Sequence, residues 1–203
     1  MTGKPSTPTE RYDTSTALVV VDAQNDFAHP DGSLYVQGGD DAIAAVNREI
    51  EAAQQAGSLI VYTQDWHPPS TPHFEKDGGI WPTHCVQNTW GAELHQALQV
   101  VDGPVIRKGS GGEDGYSAFS VRDPESGAEA PTELEAILRD RAIRRVVVTG
   151  LAQDVCVKET VLDARRLGFD AILVRDATRP VELNAGDGER ALSAMTAAGA
   201  LVH

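Results

Sequence analysis

The 203-residue chain has little cysteine, little positive charge and no long apolar run, and each shortage closes off a class of protein. Two cysteines, Cys85 and Cys156, stand far apart. They cannot build the dense disulfide framework of a small secreted domain, so a reduced, cytoplasmic setting is expected. Only 17 Lys and Arg face 30 Asp and Glu, a formal charge of −13. Phosphate backbones and anionic lipid surfaces are bound by concentrated positive charge, so no nucleic acid and no membrane is expected as a partner. The longest strongly apolar stretch, Ala17 to Val21, falls far short of the roughly 20 residues that cross a bilayer. Met1 to Thr16 is rich in Thr, Pro and Ser and lacks the apolar run of a secretory signal. It reads as a flexible tail (1–16) ahead of one domain over 17–203.

What is present is ordinary for a protein with a real core: 41% apolar and 23% charged residues. Short β-branched runs alternate with segments of helical period, which is the rhythm of a parallel α/β sheet. Strands are expected at 17–21, 59–63, 104–107, 145–149, 171–174 and 200–203, and helices at about 40–55, 132–141, 154–167 and 186–198. The near-continuous apolar run at 17–21 suits a central strand covered on both faces. The fold class is therefore α/β, a three-layer α/β/α sandwich around a six-stranded, mostly parallel sheet. Between Lys108 and Pro131 the chain is glycine-rich without period, as functional lids or mobile segments often are.

Open parallel sheets bind ligands beyond the carboxyl ends of their strands. Asp22 follows the first strand, Asp65-Trp66-His67 the second and Lys108 the third, while Gly150 to Cys156 leads from the fourth into a helix. Cys156 near a helix start gains from free backbone N–H groups and the helix dipole, both of which favour a thiolate. A lone cysteine elsewhere would read as a small buried apolar side chain. Asp22, directly after buried-looking residues, is costly there unless paired or active. Lys108 alone would read as a snorkelling surface lysine. A thiol nucleophile, a carboxylate that takes and gives protons and a charge-stabilising ammonium together make an acyl-transfer set.

A second cluster comprises Asp65, His67, His73 and His84, so three of the six histidines fall within 20 residues. Residues two apart in an extended segment point the same way, which lets Asp65 and His67 share one centre. One carboxylate with two or three imidazoles suits a divalent metal ion: zinc first, with iron or manganese as alternatives. The bland alternative is a set of loop histidines with local hydrogen bonds.

The motifs Val21 to Phe27 (VDAQNDF), Asp65-Trp66-His67, Trp81 to Cys85 (WPTHC), Lys108-Gly109, Tyr116 to Phe119 (YSAF) and Gly150 to Val157 (GLAQDVCV) occur in an order and spacing that resembles the nicotinamidases within the isochorismatase-like cysteine hydrolases. The resemblance spans about 17–203. It implies hydrolysis of nicotinamide, and of pyrazinamide, with a role in NAD salvage. It implies a triad of Asp22, Lys108 and Cys156. Metal ligands would be Asp65, His67 and His84, with His73 additional or alternative. It also implies a cis Leu151–Ala152 peptide with the Ala152 and Cys156 N–H groups as an oxyanion hole, and Phe27, Trp81 and Tyr116 sandwiching the pyridine ring. In the implied mechanism the ring nitrogen binds the metal and Cys156 forms a thioester. A homo-oligomer is expected on the same basis.

Val155 departs from members that carry a histidine or aromatic residue beside the nucleophile, which leaves preference among aromatic amides open. Cys85 has no role beyond packing. The rival readings are a relative that cleaves vinyl ethers or ureido groups without the metal cluster, and a non-catalytic aromatic-amide binding module. The Asp65, His67 and His84 set argues against the first. The joint presence of Asp22, Lys108 and Cys156 argues against the second.

Overall fold

The segment TALVVV forms β1 (Thr16–Val21), and all six of its residues are buried. Its side chains alternate between two cores: Leu18 and Val20 pack on one face, Ala17, Val19 and Val21 on the other. A strand apolar on both faces belongs in the middle of a covered parallel sheet. In the computed structural model, which describes residues 11–203, β1 lies in the middle of a six-stranded sheet of order β3-β2-β1-β6-β7-β8. The other strands of that sheet are β2 (Leu59–Asp65), β3 (Val105–Lys108), β6 (Arg145–Leu151), β7 (Asp170–Arg179) and β8 (Leu201–Val202). Every pairing within it is parallel.

Helix α1 (Asn25–Ala28) is a single turn after β1, and α2 (Gly39–Gln55) packs Ile43, Val46 and Ile50 against the Leu18 and Val20 face. The opposite face is covered by α3 (Leu134–Asp140), α4 (Lys158–Arg166) and α5 (Asp187–Ala197) through Leu138, Val161 and Met195. The three layers match the expectation from sequence. Two differences have local causes. The stretch expected to be unstructured between Lys108 and Pro131 contains an antiparallel pair, β4 (Ser120–Arg122) with β5 (Glu129–Pro131), too short to carry a readable alternation. β7 runs to Arg179, past its expected end at 174, because a register irregularity between Val148 and Gly150 of β6 lets pairing resume at Thr178 and Arg179.

The flexible tail expected over 1–16 does not include Arg11 and Tyr12. Residues 1–10 lie outside the described residues, but Arg11 and Tyr12 are buried. The Arg11 guanidinium and the Tyr12 hydroxyl both donate to the Glu49 carboxylate of α2, at 2.6 and 2.8 Å. A charged acceptor shared by two buried donors fixes the start of the domain. Glu49→Gln removes the charge and is expected to lower stability by about 1–3 kcal/mol, read as a lower Tm. Turnover at the candidate site should be unchanged, since Glu49 serves the amino end of β1 and that site lies at its carboxyl end.

Candidate active site

β1 ends at Val21, and Asp22 follows with φ 45°, a left-handed conformation that Asp tolerates better than most residues. β2 extends to Asp65 and β3 to Lys108, so these two residues close their strands instead of following them, and they pair directly in register. Lys108 is completely buried. Its three ammonium protons meet three acceptors: Asp22 Oδ2 at 2.7 Å, Asp65 Oδ1 at 2.8 Å and the carbonyl of Gly115.

The glycine-rich stretch is packed under this site. A Cβ on Gly115 would lie 2.7 Å from Lys108 Cβ, and one on Gly109, at φ 74°, would lie 2.5 Å from His67 Cε1. Glycine is required where the backbone comes this close.

Cys156 lies in a π-helical turn, Gln153–Val157, that precedes α4, so it is not in the first turn of an α-helix. Such turns recur at functional sites. The Ala152 carbonyl accepts from the N–H groups of both Val155 and Val157 at 3.1 Å, which holds the turn. The Leu151–Ala152 peptide is cis. Cys156 Sγ and carboxylate oxygens of Asp22 and Asp65 lie within 4.8 Å of one another.

Burial and charge set the protonation of this cluster. Burial raises the Asp22 carboxyl above its ordinary value, and the Lys108 ammonium opposes that rise. Burial pushes the Cys156 thiol well up, with Lys108 opposing and the two carboxylates adding to it. Burial alone would lower Lys108, but Asp22 and Asp65 hold it well above its ordinary value, so it stays an ammonium. Asp65 is also penalised by burial, yet Lys108 and the His67 and His84 rings bring it well below the usual carboxylate range. A buried carboxylate made more basic beside a protonated thiol suits proton transfer between the two.

The imidazole cluster adjoins this set. Ligand atoms of His67, His73 and His84 lie within 4.8 Å of one another, and all three rings are buried. His84 Nδ1 donates to the Pro82 carbonyl at 2.7 Å, and His73 Nδ1 to Asp114 Oδ1 at 2.7 Å. Those bonds leave the Nε2 lone pair of each ring available, as is usual for metal-binding histidines. Asp65 Oδ2 is 3.7 Å from the Nε2 atoms of His67 and His84, too far for a hydrogen bond. Neither ring nitrogen of His67 has a hydrogen-bond partner among the described residues, although both are buried.

An orphaned buried imidazole is costly unless something occupies it. Charge points the same way, since two carboxylates against one ammonium leave a net −1 beside three rings. A divalent cation held by Asp65, His67, His84 and His73 fits both facts.

One cavity of about 390 Å³, counted out to its mouth, joins the two halves. Phe27, Trp81 and Tyr116 line it, together with Asp65, His73, His84, Ala152 and Cys156. Trp81 Nε1–H donates to the Tyr116 hydroxyl at 2.9 Å, and burial pushes that phenol up to about 12, so it is neutral. Of the site residues expected from sequence, Phe27, Asp65, His73, Trp81, His84, Tyr116, Ala152 and Cys156 line this space, while the fully buried Asp22, Lys108 and His67 do not.

Several supporting groups were not found from sequence. Thr63 Oγ1 accepts the Asp22 N–H at 3.1 Å and donates to Asp22 Oδ1 at 2.5 Å. The Gln24 side-chain amide accepts the Asp65 N–H and donates to the Asp65 carbonyl, at 2.9 and 2.8 Å. Asp114 holds His73. Thr63 stands two residues before Asp65 on the same strand face, and that alternation was the available signal for it. Nothing in the spacing marked Asp114.

The isochorismatase-domain family matches residues 16–203. The nicotinamidase of Escherichia coli K12 is 38% identical over 204 residues, covering 92% of this chain and 93% of that protein. Among solved structures, the pyrazinamidase of Pyrococcus horikoshii in complex with zinc superposes with a TM-score of 0.82 at 40% identity, covering 93% of this chain and 98% of that one. PnC1 from L. infantum in complex with nicotinate gives a TM-score of 0.83 at 36% identity, covering 94% and 92%. The chain is an amidohydrolase acting on a carboxamide. It belongs to the isochorismatase-domain family.

Proposed function

We propose that the chain hydrolyses nicotinamide to nicotinate and ammonia, and also acts on pyrazinamide, with Cys156 as nucleophile. The observation that carries this reading is that Cys156 and the His73, His84 and Asp65 cluster line the same cavity. A nicotinate complex and a zinc complex among the related structures support it.

In the proposed reaction Asp22 takes the thiol proton as Cys156 Sγ attacks the amide carbon. The Ala152 and Cys156 N–H groups receive the developing oxyanion. Collapse breaks the C–N bond, and Asp22 returns its proton to the leaving nitrogen, releasing ammonia and leaving a nicotinoyl thioester. Water, deprotonated by Asp22, then attacks the thioester carbon. The C–S bond breaks and the proton on Asp22 goes back to sulfur, releasing nicotinate. Lys108 keeps Asp22 and Asp65 in register and charge-balanced through this cycle. Phe27, Trp81 and Tyr116 hold the ring. A divalent ion, zinc or else iron or manganese, would be held by Asp65, His67, His84 and His73 and would supply a Lewis acid for the pyridine nitrogen.

Release of nicotinate fits a role in NAD salvage. The absence of a pairing between the buried Cys85 and Cys156 agrees with a cytoplasmic setting. Among the described residues no helix is long and apolar enough to cross a membrane. A homo-oligomer is the expected assembly, with β8 ending the sheet and Leu201 58% exposed.

The test is ammonia release from nicotinamide, pyrazinamide and a ureido substrate. Turnover of the first two with none of the third is expected; the reverse would sink the reading. Exhaustive chelation is expected to abolish turnover, with recovery on adding back zinc, iron or manganese, whereas full activity after chelation would remove the metal from the account.

A further inference from the structure

The cavity that holds Cys156 shares part of its wall with a second cavity. Trp81, Tyr116, Val155 and Val181 line it, and the same four residues line a second, outer cavity that also takes in Ile80 and Leu183. Ile80 is 66% and Leu183 55% exposed, both unusual for such large apolar side chains. Two of the few exposed large apolar residues thus lie around one space that shares a wall with the cavity of the nucleophile.

The walls of this outer space are tied down. The Trp81 to Tyr116 hydrogen bond of 2.9 Å fixes one part. Asp154, in the turn that carries Cys156, accepts the N–H groups of Val181 and Glu182 at 2.8 and 2.9 Å, which fixes the segment leading to Leu183. The charged groups at the rim are already committed. Lys158 pairs with Glu159 at 3.0 Å, and Asp187 with Arg190 at 2.5 Å. With those charges compensated by neighbouring side chains at the surface, an apolar occupant fits better than an ionic one.

We propose that this outer cavity is a substrate subsite that accepts a neutral alkyl substituent carried on the ring of the aromatic carboxamide. The inference rests on the proposed amide hydrolysis, and it assigns Ile80 and Leu183 to substrate selection. Neither residue lines the inner cavity, so unsubstituted nicotinamide does not need them.

The test measures kcat/KM for nicotinamide and for a series bearing methyl, ethyl or propyl at each free ring carbon. The variants are Ile80→Ser and Leu183→Ser, with near-unchanged Tm as the folding control. For at least one ring position the propyl amide should keep kcat/KM within about tenfold of nicotinamide, since each methylene placed in an apolar site is worth on the order of tenfold. Both variants should lower kcat/KM for that amide by about tenfold while nicotinamide turnover holds. Efficient nicotinamide turnover with losses above about a hundredfold on propyl at every ring position overturns the subsite alone. So does an alkyl amide that both variants process as well as the wild type. No turnover of nicotinamide by the wild type overturns the proposed reaction, and the subsite with it.

Discussion

Cys156→Ala is expected to cut ammonia release from nicotinamide by at least about 10⁴-fold, the scale seen when a nucleophile is removed from a set of residues that act together. The thiol is 6% exposed and lies in a turn fixed by the Ala152 carbonyl, so losing one sulfur atom leaves the surrounding wall intact. Folding should therefore survive, with a Tm close to wild type. The loss should appear in kcat, with binding of nicotinate retained, because Phe27, Trp81, Tyr116 and the imidazole cluster are untouched. Cys85→Ala separates the two thiols. Cys85 is fully buried with its N–H on Asp26 at 2.7 Å, and its thiol is pushed well up by burial. Its variant should lose stability and keep most turnover. An active Cys156→Ala protein would defeat the assignment of the nucleophile.

Lys108→Met carries the second large effect, on both stability and turnover. The side chain keeps its length and loses the ammonium that satisfies Asp22, Asp65 and the Gly115 carbonyl. Two buried carboxylates are then left facing each other. Removing one partner of a buried ion pair costs about 3–5 kcal/mol, which for a chain of this size corresponds to a fall in Tm of about 10 °C. Turnover should fall by about 10³-fold, the scale of losing one preorganised charge at a reacting centre. If Lys108→Met does not fold, Lys108→Met with Asp65→Asn removes one of the two unpaired charges and should fold while staying inactive. Near-wild-type turnover in either variant would show that Lys108 is not needed.

The two effects differ in kind, and so did their visibility in the sequence. The strands were legible because burial on both faces demands β-branched residues without interruption, and 17–21 has no other reading. Strand ends were less so: Asp65 and Lys108 are polar residues inside their strands, held there by each other, and a polar residue ordinarily signals a strand's end. The π-helical turn at Cys156 has no distinct periodicity over five residues, so it read as the opening of an α-helix. The β4 and β5 pair has three residues per strand, too few for alternation to register.

Of the candidate site, the residues proposed to carry the chemistry are legible by type and by their position at or after strand ends. Their supports are not. Thr63 and Gln24 are ordinary residues whose value lies in which hydrogen bond each makes, and Asp114 meets His73 across 41 positions of sequence. The glycine-rich stretch was read as a possible lid. Its glycines answer instead to His67 and Lys108 pressing against the backbone.

The central claim is that nicotinamide is cleaved through a thioester on Cys156, and the most direct measurement is mass spectrometry of enzyme quenched in acid during turnover of nicotinamide. The account predicts a nicotinoyl adduct that maps to Cys156, is absent from Cys85 and disappears in Cys156→Ala. Steady ammonia release with the adduct on another residue, or undiminished release from Cys156→Ala, would contradict it.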